Sequence, residues 1–429
     1  MSARPNIVQI TTHDSGRHFG CYGHPTLHTP AINRLAAEGV RFTNAFCTAP
    51  ICSASRCSQL TGLYPQSHGL LDLTGYGWRM KDDVLHASQW FKRAGYRTLL
   101  FGVQHETGDL GRLAFDCAQP RPPHAEGVAE NVAAFLRNEA GRQQPFYAQI
   151  GFSETHTPFL RDGLAPDTEK GVEIPPYLAD TDSSREAMAG YQRAVRAADA
   201  AVGAILDALR ESGLESNTLV VFATDHGIEM PRAKWHLYDP GIAIGMIMRW
   251  PAGGVVGGRS CDLLTSNVDT LPTVLDLAGM KVSGQLEGRT LAAALREEGP
   301  APVREAVFGM YHKMQTRYVR TDRYKLIRHF DNANDYFAVP VRIEDQMNKR
   351  VIPRLELFDL EADPNEFVNL AEEPDHGETQ RRLDAMLWDW MESVADPLLS
   401  GPVRTPSYEA SIADYAQWKC GTGHVESAP

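Results

Sequence analysis

Apolar and polar positions along the chain follow two periods. Short runs rich in β-branched and apolar residues, at 7–12, 97–102, 145–152, 218–224 and 243–250, predict buried strands, and 40–46 belongs to the same class. Between them the apolar positions recur at helical spacing. Thr29-Pro30 opens a helix whose face is Ile32, Leu35 and Ala36 and which Gly39 ends. Further helices are predicted at 86–94, 127–138, 184–212 (Met188, Tyr191, Val195, Val202, Ile205, Leu209) and 269–278, the last capped by Asp269. Strands that alternate with helices imply an α/β fold, a mostly parallel sheet sandwiched by helices. In such sheets ligands bind beyond the carboxyl ends of the strands. His13-Asp14, His105-Glu106, Glu154-Thr155-His156 and Asp225-His226 each directly follow a predicted strand. After Gly299-Pro300-Ala301-Pro302 the pattern changes to a hairpin (315–320 and 324–328), a strand at 355–358 and an amphipathic helix at 377–394. The expected division is an α/β domain over 1–300 and a smaller α+β domain with an antiparallel sheet over 301–429.

Composition narrows the function. The chain has 429 residues, with 42 Lys and Arg against 54 Asp and Glu, a net charge of −12. No basic stripe is available for nucleic acid or an anionic membrane surface, and a long polyanion would be repelled, so an anionic substrate has to be small or a chain end held by local cations. No apolar run approaches the ~18 residues of a membrane span. Met1–Pro5 leads straight into the first strand without a signal-peptide pattern, so a cytoplasmic location is expected. Seven scattered cysteines imply no disulfide framework. Cys47, Cys52 and Cys57 recur every five residues, which is not a zinc spacing, and Cys47 and Cys57 read as small buried residues.

The segment Cys52-Ser53-Ala54-Ser55-Arg56, continued by Leu60-Thr61-Gly62-Leu63-Tyr64-Pro65, resembles the signature of the type I sulfatases, with Ala54 where Pro is more usual. The resemblance implies an alkaline phosphatase-like fold and a Cys52 oxidised by a maturation enzyme to formylglycine (3-oxoalanine). A hydrated aldehyde offers one hydroxyl as nucleophile and a second to expel sulfate, which a thiol cannot do. The helical pattern of 53–60 puts position 52 near a helix N-terminus, where anions are favoured, and Arg56 is expected to hold the hydrate or a sulfate oxygen.

The rest of the family pattern maps onto this chain residue by residue. Arg4-Pro5-Asn6-Ile7-Val8 precedes His13-Asp14, where the family has Asp-Asp, and Thr224-Asp225-His226-Gly227 resembles the second metal-binding pair. The implied ligands of a divalent metal are therefore His13, Asp14, Asp225 and His226, with Cys52 beside it. Oxygen-rich ligands suit Ca²⁺, which is the expected ion, and the imidazole of His13 admits Mn²⁺ or Zn²⁺. His105 resembles the family's base, with Val103 where the family has Lys. His156 and Lys234 resemble the groups that meet the leaving atom. Arg320-Thr321-Asp322-Arg323-Tyr324-Lys325-Leu326-Ile327 and Leu357-Phe358-Asp359-Leu360 extend the likeness through the C-terminal part, which looks closest to the heparan N-sulfatases. The activity this resemblance implies is hydrolysis of a sulfate ester or sulfamate, with the alternative of a phosphodiesterase or phosphonate monoester hydrolase on the same scaffold. A non-catalytic binding protein is disfavoured by the intact set of site residues. The implied partners are a small sulfated substrate and the maturation enzyme, and a homodimer is admitted as an assembly.

Overall fold

The computed structural model describes residues 4–139, 143–160, 163–281, 284, 286–299, 304–313, 315–331 and 353–421. Its strands are β1 (Asn6–Thr12), β2 (Val40–Phe42), β3 (Ala45–Phe46), β4 (Arg97–Gly102), β5 (Cys117–Gln119), β6 (Phe146–Gly151), β7 (Thr218–Thr224), β8 (Met246–Arg249), β9 (Arg259–Cys261), β10 (Thr265–Ser266), β11 (Val307–Tyr311), β12 (Thr316–Arg320), β13 (Tyr324–His329) and β14 (Leu355–Asp359). Eight of them form one sheet in the order β5-β4-β6-β1-β7-β8-β2-β9, parallel except where β8 meets β7 and β2. β1 lies inside it, with Ile7 opposite Tyr147 of β6 and Leu219 of β7. A strand covered on both faces is apolar on both, which is why β7 reads as an apolar run between its threonines; β1 admits one polar side chain between Ile7 and Ile10, Gln9, which accepts from the Tyr147 hydroxyl (3.2 Å).

The pleat sends Val8 and Ile10 to one face and Ile7 to the other. On the first face they pack against helices Pro30–Glu38, Ala125–Glu139 and Asp182–Glu211. On the second lie helices Cys52–Thr61, Ala87–Arg93 and Thr270–Leu277. The α/β sandwich is therefore as the periodicity predicts. No described helix is long and apolar enough to cross a membrane.

Three local expectations fail for identifiable reasons. The run 40–46 is two strands in two sheets. Asn44 interrupts it, its amide donating to the Asp262 carbonyl (3.3 Å) and to Asp322 (2.9 Å). The run 243–250 forms a continuous strand only over Met246–Arg249, with isolated bridges at Ala243 and Trp250, because the Gly245 N–H turns to the Gly16 carbonyl (2.8 Å) and braces the loop after β1. Asp269 makes no capping bond to the helix that follows it. Its carboxylate accepts from the Ser266 and Arg289 N–H groups (2.9 and 2.7 Å) and pairs with Arg304.

The C-terminal strands form the antiparallel sheet β11-β12-β13-β14, covered by helix Gly377–Ser393. This sheet shares its core with the main body: Val307, Tyr311, Tyr318, Ile327 and Phe358 belong to the same apolar cluster as Phe46 and Ala54. The Tyr318 hydroxyl donates to the Cys47 carbonyl (2.8 Å) across the junction. The expected linker at 300–303 lies outside the described residues. Helix Pro406–Gly421 is an addition to the predicted elements.

Candidate active site

Four neighbouring parallel strands, β4, β6, β1 and β7, end in register: Gly102 lies opposite Gly151, Thr11 opposite Gly151, and Thr12 opposite Thr224. The residues that leave those ends are therefore forced together. They are His105 after β4, His156 after β6, His13 and Asp14 after β1, and Asp225 and His226 after β7. Lys234 arrives from the same loop as His226. Helix Cys52–Thr61 brings its first residue over this edge, with Cys52 Sγ 3.3 Å from His226 Nε2 and 3.8 Å from Asp14 Oδ1. Every residue of that helix is buried, polar ones included. Two of the serines are tied down: Thr48 donates to Ser58 (2.8 Å), Asn267 donates to the Ser55 carbonyl and hydroxyl (3.0 Å each), and Ser55 donates to the Asp225 carbonyl. Gly62, at φ +70°, ends the helix in the left-handed conformation.

The structure thus gathers all nine residues named from sequence. Lys234 Nζ donates to Asp14 Oδ2 (2.8 Å), and Arg56 Nε donates to Asp225 Oδ2 (3.0 Å). Burial alone would raise both carboxyls. Lys234, His226 and His13 outweigh it at Asp14, and His226, Arg56 and His13 at Asp225, holding both well below the usual carboxylate range. Lys234 is held above its ordinary value because Asp14, Cys52 and Glu229 outweigh its burial. Burial and the Arg56 charge lower His13 to about 4, and burial, His13 and Arg56 lower His105 to about 2. Both rings are neutral at pH 7. Burial and the Asp14 charge push the Cys52 thiol up, so as a thiol it is a poor nucleophile.

A divalent cation fits this donor set. Ligand atoms of His13, Asp14, Cys52 and Asp225 lie within 4.8 Å of one another, and the buried His13 Nδ1 has no hydrogen-bond partner. Asp14 gives Oδ2 to Lys234 and turns Oδ1 toward His226 and Cys52, whereas Asp225 gives Oδ2 to Arg56 and accepts from the Asp14 and His226 backbone N–H groups (2.9 Å each) on Oδ1. His226 stands 3.2 Å from Asp14 Oδ1 but outside that tightest group, its ring fixed by the 2.9 Å contact of Nδ1 with the Gly227 carbonyl. His105 stacks edge-on to His13 with centroids 4.7 Å apart. His156 is partly exposed, its Nε2 3.4 Å from Lys234 Nζ.

Two further acids join the site, Glu229, which the sequence pattern does not single out, and Glu106, which it places after a strand but gives no role. Glu229 accepts from Lys234 (3.1 Å) and from the Thr157 hydroxyl (2.7 Å). Glu106 is wholly buried, its carboxyl raised by burial against the opposing Arg56 charge. The only signal for Glu229 is its place between Asp225 and Lys234. A separate cleft of about 230 Å³, lined by Arg17, His18, Tyr177, Met188 and Pro240, contains none of these groups.

The sulfatase family model matches residues 5–280, and the model of the N-sulphoglucosamine sulphohydrolase C-terminal region matches 232–393. An ulvan-active sulfatase of Formosa agariphila is 27% identical, over 92% of this chain and 76% of that protein. Human N-sulphoglucosamine sulphohydrolase is 27% identical, over 93% of this chain and 92% of that protein. In fold the chain resembles the phosphonate monoester hydrolase of Agrobacterium radiobacter, with a TM-score of 0.73, 20% identity, and 92% and 97% of the two chains covered.

Proposed function

The chain belongs to the sulfatase family and is a sulfuric ester hydrolase; on that premise we propose that it acts on a small or chain-terminal sulfated sugar, as an O-sulfate or N-sulfamate, using formylglycine made from Cys52 and a divalent metal. The observation that supports this most is the placing of Cys52, at the first turn of a buried helix, against two buried carboxylates each pinned by its own cation. His13, Asp14, Asp225 and His226, with position 52 beside them, would hold the metal, for which Ca²⁺ is the first choice and Mn²⁺ or Zn²⁺ the alternatives that the imidazole at 13 admits. When bound, the metal draws charge from a sulfate oxygen, and formylglycine supplies a nucleophile that is renewed each turnover.

The remaining work falls to side chains in the structure. Arg56, fixed between Asp225 and the Thr12 carbonyl (3.0 and 3.4 Å), keeps a guanidinium beside position 52. Lys234 holds a proton at Nζ on the leaving-group side, with His156 beside it. His105 stands next to His13 and Cys52, where a base for the hydrate is required. Burial of the strand-end residues excludes water from the charges that face the substrate.

The phosphonate monoester hydrolase reading draws support from that enzyme's fold and from Val103, which leaves one cation fewer than the sulfatase pattern has. Aryl sulfate, sulfamate and phosphonate monoester substrates, compared by kcat/KM on metal-loaded protein, separate the two. Sulfur substrates are expected to be preferred. A preference for the phosphonate would replace this reading with the second.

A further inference from the structure

Lys234 is held by two carboxylates rather than one. Its ammonium donates to Asp14 Oδ2 at 2.8 Å and to Glu229 Oε2 at 3.1 Å, and stands 3.4 Å from His156 Nε2. Glu229 leaves the loop after β7 but is anchored on the loop after β6. The same Oε2 accepts from the Thr157 hydroxyl (2.7 Å) and backbone N–H (3.4 Å) and lies 3.6 Å from His156 Nδ1. Asp14 is fully buried, whereas the Glu229 side chain is 16% exposed. Glu229 is thus the acid on the open side of the lysine, where the substrate's departing atom and its substituents arrive. Its hydrogen bonds among the described residues all run through Oε2.

We propose that Glu229 is a specificity-determining residue that biases the leaving-group side toward a departing amine, and so toward a sulfamate over a sulfate ester; this rests on the sulfatase reading above. In a sulfamate the basic nitrogen takes the Lys234 proton on its lone pair before the S–N bond breaks; the bond pair then passes to nitrogen, and a neutral amine departs that gains a second proton from water only after release. The protonated nitrogen is positive ahead of cleavage, and a carboxylate beside it stabilises that charge. In a sulfate ester the S–O bond breaks, the oxygen keeps the pair and carries negative charge until Lys234 supplies a proton. The same carboxylate opposes that charge. A fixed anion at this distance therefore discriminates by the sign of the developing charge, which is a transition-state effect. A purely structural acid, one that only holds Lys234 in place, would serve both substrates alike.

The test is kcat/KM for an N-sulfated amino sugar and for its O-sulfated counterpart, with the wild type, Glu229→Gln and Glu229→Asp. Gln keeps an acceptor for Thr157 and removes the charge. The sulfamate-to-ester ratio is expected to fall about tenfold or more in Glu229→Gln and to recover partly in Glu229→Asp. A readout independent of turnover is the binding of the amino-sugar product to Cys52→Ala protein by calorimetry. Adding Glu229→Gln should weaken the amino sugar and leave the neutral parent sugar unchanged. Equal losses on both substrates, or equal losses of both sugars, would overturn the assignment while leaving sulfate hydrolysis standing. Release of phosphonate alone by the wild type would remove the sulfatase reading itself, and the assignment with it.

Discussion

Two regions of this molecule bury charge at similar density and treat it in opposite ways. At the junction with the C-terminal sheet, Asp239 pairs with Arg320 (3.1 Å) and Lys325 (2.5 Å). Lys325 also pairs with Glu366 (2.6 Å) and donates to the Leu237 carbonyl (3.2 Å). Burial raises the Glu366 carboxyl to about 7 against the opposing Lys325 charge. Each charged side chain there meets an opposite one, and the set holds two parts of the fold together. At the strand ends, by contrast, Asp14 and Asp225 face the same space, and the ring nitrogens Nδ1 of His13 and His105 are buried without partners. Buried polar atoms are nearly always satisfied in native proteins. Two carboxylates that converge beside ring nitrogens left open, even with Lys234 and Arg56 paired to them, are therefore arranged for something that arrives from outside. Closed pairing marks the structural cluster, and open convergence marks the working one.

The difference can be broken from either side. Cys52→Ala removes chemistry without removing a charge. It is expected to lower turnover by about a thousandfold or more with the melting temperature essentially unchanged, checked by steady-state kinetics beside a thermal melt. Lys325→Ala leaves Asp239 and Glu366 buried with less compensation. A loss of about 3–5 kcal/mol, read from urea unfolding, is expected for breaking a buried pair of this kind. Adding a divalent cation should stabilise the strand-end cluster and not the junction. At a hundredfold excess over Kd the gain is about 2.7 kcal/mol, and Asp225→Asn should abolish most of it, with metal content followed in parallel. Smallest of all, the exposed Arg34–Asp207 pair at 2.8 Å should contribute under about 1 kcal/mol when either side chain is truncated.

Much of this is legible in the chain because local pattern and function coincide. β1 and β7 announce themselves by apolar runs, and the polar dipeptides after them lie at strand ends that a parallel sheet must align. Cys52 and Arg56 sit four apart at the start of a helix, so their joint placement comes from helical geometry alone. The features that escape sequence reading depend on partners far away in the chain. Glu229 gains its place from Thr157, 72 residues earlier. Asn44 splits its strand through a bond to Asp322, and Asp269 is recruited by Arg304. Helix Pro406–Gly421 escapes for the opposite reason. Its described side chains are almost all exposed, with Tyr408, Ile412 and Tyr415 at 49%, 41% and 55%, so it buries no face whose period could be read.

The most direct measurement is the mass of the peptide containing Cys52, taken from protein made in its native host. Conversion to formylglycine replaces SH and H by an aldehyde oxygen, so the peptide should be lighter by about 18 Da than the unmodified sequence. That shift is the predicted result. An unmodified Cys52 in active protein, from a host that carries the maturation enzyme, would contradict a formylglycine-dependent mechanism at this site.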